Sequence, residues 1–173
     1  MINKLSNVHQ GAKIAEDVVV ESFATIYEDV EIASGSWIGP NAVIMNGARI
    51  GKNVQVFPGA VISGDPQDLK FEGEITTTEI GDNTIIREYV TINKGTKAND
   101  RTVVGKDCLI MSYVHIAHDC VLKDRVILGS YAGLAGEVEV DNWAIVSPGS
   151  LVHQFVRIGA HVMIQGGSKV SKD

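Results

Sequence analysis

Every sixth residue from Ile2 onward is a branched aliphatic, through Val8, Ile14, Val20 and Ile26 in unbroken phase to Ile62. The same phase resumes at Ile80, Ile86 and Ile92 and runs on from Val104 to Val170, failing only at Asp68, Glu74 and Ala98. Two residues before each aliphatic stands a small or short side chain, as at Ala12, Ala24, Ser36, Ala42, Ala48 and Ala60. A period of six fits neither a helix, at about 3.6 residues, nor a lone strand, at about 2. It predicts an all-β coil of very short strands joined by turns, a parallel β-helix of hexapeptide repeats shaped as a triangular prism. Three hexads make one coil of 18 residues, and stacked coils lie roughly 4.8 Å apart, so residue n sits under residue n+18.

The three failures predict two loops outside the prism. Residues 64–78 replace inward aliphatics with carboxylates and carry Pro66. Residues 93–102 carry Lys94, Lys97 and Arg101, and read either as an anion-facing element or as a solvated excursion. The coil otherwise fills the chain, giving one domain over 1–173. Cys108 and Cys120 fall in the small inward phase and read as core filler rather than redox or metal groups.

Four of the five histidines lie at 115, 118, 153 and 161. The 18-residue rule stacks His118, Gly136 and Gln154 in one column, with Asp119 and Glu137 beside them. An imidazole suits proton removal near neutral pH, and an adjacent carboxylate fixes its tautomer. A glycine above it can offer a backbone N–H to a developing oxyanion. Taken singly, such histidines are also ordinary turn residues.

Composition narrows the partners. A net charge of −6 and a pI near 5.3 argue against nucleic acid. No apolar run is long enough to cross a bilayer, and the start reads as no signal peptide, so the expected location is cytoplasmic.

Several strings together carry a family resemblance: Gln67-Asp68-Leu69-Lys70, the segment from Ile86 to Thr96, His115-Ile116-Ala117-His118-Asp119-Cys120, Leu134-Ala135-Gly136, Val152-His153-Gln154-Phe155 and Gly159-Ala160-His161-Val162-Met163. Along essentially its whole length the chain resembles the UDP-N-acetylglucosamine O-acyltransferase family, which opens lipid A synthesis in Gram-negative bacteria. The resemblance implies a left-handed prism and a homotrimer with active sites between neighbouring subunits. It makes His118 the general base that deprotonates the sugar 3-hydroxyl of UDP-N-acetylglucosamine, Asp119 the residue that orients it, and Gly136 the oxyanion donor. The acyl donor would be acyl carrier protein bearing a 3-hydroxyacyl chain on its phosphopantetheine, with no metal and no other cofactor. Asp68, Gln67 and Lys70 of the adjacent subunit, with His115, Glu137, His153 and Gln154, would hold the sugar nucleotide. Met163 and Gly166 would line the acyl-chain channel.

Two departures qualify this. Several family members have histidine where this chain has Glu137, which stacks over Asp119, and two close carboxylates oppose each other's ionisation. The family also carries a C-terminal helical region after the prism, whereas this chain reaches Ser171-Lys172-Asp173 where that region would begin, and is expected to be a fragment or domain cut there. The alternatives are an acyltransferase with another sugar-nucleotide or amine acceptor, a zinc carbonic anhydrase of the same fold, and a non-catalytic trimeric binding scaffold. The anhydrase fits poorly: it uses His-x4-His, and His115 and His118 are spaced His-x2-His.

Overall fold

The computed structural model describes residues 1–172, so Asp173, the last residue of the predicted domain, lies outside the described residues. Among those described, 25 strands, most of two residues, stack into three all-parallel sheets. Sheet I has nine strands, from Asn7–Val8 to Lys169–Val170. Sheet II has eight, from Lys13–Ile14 to Arg157–Ile158, and sheet III eight, from Val19–Val20 to Met163–Ile164. The chain visits the three in rotation and winds a left-handed parallel β-helix.

The period-six aliphatics are the core: Ile26, Ile38, Ile44, Ile62, Ile86, Ile92, Ile110, Ile116, Leu122 and Leu128 are all fully buried. Burying each such side chain favours the folded state by about 1.5–3 kcal/mol. Cys108 and Cys120 are buried among them as predicted, and desolvation pushes their thiols up to about 11 and about 12.

Register follows the 18-residue rule in Thr25↔Val43 and His115↔Gly133. It widens only at the loops. Val61 pairs with Thr91, 30 residues on, and Thr91 with His115, 24 on, so the excursions add 12 and 6 residues, two hexads and then one. These match the three failed positions. The loops are narrower than the sequence predicts, spanning 65–76 and 94–100, because backbone pairing continues past the last inward aliphatic through Gly64↔Asn93, Thr77↔Arg101 and Thr78↔Thr102.

Both loops leave the prism at the edge between sheets I and II, in consecutive coils, and they clasp each other there. Lys94 Nζ lies 2.8 Å from Asp65 Oδ1 and over the Phe71 ring, Lys97 pairs with Glu72 at 3.5 Å, and Asn93 Nδ2 donates to the Asp65 carbonyl. The lysines of the second loop are therefore engaged by carboxylates of the first and do not present a free basic face.

The outward rows give each sheet its own chemistry. Sheet II alternates Lys13, Glu31, Arg49 and Glu79 up its lower half. Sheet III presents Ile85, Leu109, Ile127, Ile145 and Met163 in one apolar row. Sheet I presents Thr91, His115, Gly133 and Leu151. Among the described residues no helix is long and apolar enough to cross a membrane.

Candidate functional site

The edge between sheets I and II, directly above the two loops, holds the predicted histidine column. His118 and Asp119 form the turn between strands His115–Ile116 and Val121–Leu122. Asp119 takes a left-handed conformation (φ 61°), as do Glu137 and Phe155 at the same turn of the next two coils. Its carboxylate is buried, and Oδ2 lies 2.8 Å from His118 Nδ1. A carboxylate only accepts, so Nδ1 carries a proton, and in the neutral imidazole Nε2 then holds the lone pair. The second loop supplies partners to both oxygens of the Asp119 carboxylate.

Gly136 sits against the imidazole. A Cβ there would fall 2.6 Å from His118 Cε1 and 2.8 Å from Nε2, so only glycine lets the next coil approach the ring this closely. Among the described residues the Gly136 N–H has no protein acceptor. One coil edge therefore offers a proton acceptor and, beside it, an unused backbone donor.

His115 stands on sheet I with Nδ1 2.7 Å from Thr91 Oγ1 of the strand below. Burial lowers its pKa, which keeps it neutral at physiological pH and leaves it as a hydrogen-bonding group.

Two cavities share His118 as a wall. The larger, about 600 Å³, is lined by His115, Gly136, His153, Gln154 and Gln67 and floored by apolar groups such as Leu134 and Leu151. The smaller, about 180 Å³, has Asp68, Lys70, Glu74, Lys97 and Glu137 among its lining residues. The sequence-predicted residues are thus gathered around His118, divided between two chambers. The single chain brings its own Gln67, Asp68 and Lys70 to its own His118, where the sequence reading expected them from an adjacent subunit. The reason is that the first loop leaves two coils below His118 on the same edge.

Met163 and Gly166 are not brought to this cleft. Met163 stands on sheet III, 69% exposed at the end of its apolar row, and Gly166 lies at the edge leading out of that sheet, near the Pro148 carbonyl. The period itself requires this, since Met163 is 12 residues beyond Leu151 and so two faces further round. Sequence reasoning missed Thr96, which bonds the Asp119 carboxylate. Its signals were its place at the end of the Ile86–Thr96 resemblance segment and two residues before Ala98, where the hexad phase fails. Among the described residues no three His, Cys, Asp or Glu side chains are grouped to hold a metal ion.

Comparison with known proteins locates this arrangement. The bacterial transferase hexapeptide (six repeats) family matches residues 29–64 and 101–136. An acyl-[acyl-carrier-protein]–UDP-N-acetylglucosamine O-acyltransferase of Alkalilimnicola ehrlichii is 44% identical over 113 residues, covering 65% of this chain and 44% of that protein. Among solved structures, a UDP-N-acetylglucosamine acyltransferase from Bacteroides fragilis is 50% identical with a TM-score of 0.94, over 96% of this chain and 66% of that one. Another from Campylobacter jejuni is 37% identical with a TM-score of 0.96, over 100% of this chain and 68% of that one. The match thus spans less than half the length of the curated relative and about two thirds of the solved ones.

Proposed function

The chain belongs to the UDP-N-acetylglucosamine acyltransferase family, and from that premise we propose that it transfers a 3-hydroxyacyl group from acyl carrier protein to the 3-hydroxyl of UDP-N-acetylglucosamine, the opening step of lipid A synthesis, in the cytoplasm. The observation that carries the reading is His118, tied through Nδ1 to buried Asp119 and flanked by the unused N–H of Gly136.

In this reading His118 Nε2 takes the proton of the sugar 3-hydroxyl while its oxygen attacks the thioester carbon. The new C–O bond pushes the carbonyl electrons onto oxygen, and the Gly136 N–H donates a hydrogen bond to that oxyanion. Collapse breaks the C–S bond, and the imidazolium returns its proton to the departing pantetheine thiolate. Asp119 supports the imidazolium between these steps. The charged side chains of Asp68, Lys70 and Glu137 in the smaller chamber suit the sugar hydroxyls. Gln67, His115, His153 and Gln154 offer hydrogen bonds from the walls of the larger cleft, whose apolar floor suits the acyl chain.

The channel residues complete the assignment only in an assembly. A homotrimer in which sheet III of one prism covers the sheet I cleft of the next would bury the Ile85–Met163 row and carry Met163 and Gly166 to the acyl chain. That the row is apolar while sheet II is charged supports this choice of face.

The test is acyl transfer by the purified chain from 3-hydroxyacyl carrier protein to the sugar nucleotide, followed by mass spectrometry, with wild type and His118→Ala. The expected loss in the variant is about 10²–10⁴-fold with sugar-nucleotide binding retained. Undiminished transfer by His118→Ala would remove His118 as the base, and absence of transfer by either protein would favour a binding scaffold.

A further inference from the structure

The Asp119 carboxylate has three partners, and two of them come from a single residue of the second loop. Thr96 N donates to Oδ1 at 2.9 Å, and Thr96 Oγ1 reaches Oδ2 at 2.6 Å, the same oxygen that takes His118 Nδ1 at 2.8 Å. The carboxylate only accepts, so the Thr96 hydroxyl donates its proton to Oδ2, and Ala98 N donates to the same hydroxyl oxygen at 3.2 Å. Both Thr96 and Asp119 are buried, so water does not compete for these bonds.

The need for this arrangement arises from the loop itself. At the next two coils the left-handed turn residue donates its N–H to a carbonyl of the coil below, Glu137 to His118 and Phe155 to Gly136. Beneath Asp119 the second loop has displaced that coil, and the Asp119 N–H is taken by Thr102 Oγ1 at 2.8 Å instead. Thr96 and Thr102 thus grip Asp119 from opposite ends, side chain and backbone. The loop carrying Thr96 is in turn held by the first loop, through Lys94–Asp65 and through Thr76 Oγ1, which donates to the Gly95 carbonyl at 2.6 Å.

We propose that Thr96 is a positioning residue for the His118–Asp119 pair: its hydroxyl and N–H set the rotamer and charge distribution of Asp119, and so aim His118 Nε2. The proposal rests on His118 being the base of the acyl transfer. It also assigns the second loop a role that its lysines do not fill, since they are neutralised by the first loop. A loop that fixes substrate groups and a loop that fixes the carboxylate are joined, so the sugar chamber and the base are aligned by one unit.

The hydroxyl is removed without loss of volume in Thr96→Val and retained in Thr96→Ser, with Thr96→Ala in place of the valine variant should that one not fold. Two measurements are made on the full chain. The first is the proton resonance of His118 Nδ1–H in ¹⁵N-histidine-labelled protein without substrate, which reports the hydrogen bond to Asp119 directly. The second is kcat and KM for acyl transfer. Thr96→Val is expected to move the Nδ1–H resonance and lower kcat roughly 10-fold while KM holds, and Thr96→Ser to restore both. An unmoved resonance in Thr96→Val, or a Thr96→Ser as impaired as the valine variant, overturns the proposal. A resonance that responds as expected in a chain with no acyl transfer supports the positioning role and instead refutes the assigned reaction.

Discussion

Gly136→Ala isolates the distance between coil and base. The added methyl would stand 2.6 Å from His118 Cε1 and 2.8 Å from Nε2, whereas unstrained carbon contacts are about 3.5–4.0 Å. The ring must therefore retreat by about 1 Å. Because the His118 side chain is 17% exposed, it can swing toward the cleft, and the strain on folding stays near the low end of overpacking costs, about 1 kcal/mol. Catalysis is less forgiving, since a displacement of about 1 Å at a reacting group lowers the rate by about 10²-fold, or about 2.7 kcal/mol. The backbone N–H is untouched, so the loss reports on the base alone. Steady-state kcat, with a melting curve to show the protein is folded, is the assay. Gly159→Ala, away from the cleft, is the comparison: its Cβ would meet only Val162 Cγ2 at 3.8 Å, and kcat should stay within about threefold. If Gly136→Ala turned over within about threefold of wild type, close packing of glycine on the imidazole would have no part in aiming it.

Two further outcomes follow from features away from the cleft. The Glu88 carboxyl is held down to about 2, first by hydrogen bonds from Arg87, then by its own backbone N–H and by Ser112. A folded pKa below the unfolded 4.5 gives stability that is present above about pH 4.5 and is lost as pH falls toward about 2. Glu88→Gln should flatten the fall in melting temperature over that window by a small amount, water screening the pair, and equal slopes for both proteins would refute the assignment. On sheet III, Ile127→Asp places a charge in the middle of the apolar row without entering the core. Light scattering should give three times the 18.6 kDa chain mass for wild type and one chain for the variant, and an unchanged trimer would exclude that face as the interface.

The interior was legible from the sequence because its signal is repeated. Each inward aliphatic obeys one phase, and even the failures at Asp68, Glu74 and Ala98 count the hexads that the two loops replace. The His118, Gly136 and Gln154 column followed from the same rule, because no loop intervenes between those coils. What escaped lies where the chain leaves the period. Thr96 reaches Asp119 by a path that no spacing encodes, and Gln67 returns to its own cleft because the first loop folds back along the edge. Met163 is the reverse case: family likeness assigns it to the acyl-chain channel, phase arithmetic puts it on sheet III, and only the proposed assembly would bring the two together.

Both excursions and the His118–Asp119 turn share one edge of the prism, and among the described residues the other two edges keep short, regular corners. Lengthening a surface loop costs only about 0.6 kcal/mol per doubling, and residues 65–76 and 94–100 add nothing to the hydrophobic core. That edge is therefore free to change in length and chemistry while the sheets on either side remain fixed. The protein separates what must stay constant from what can be rewritten by direction around an axis, so a new acceptor specificity could be built at one seam without disturbing a single buried isoleucine.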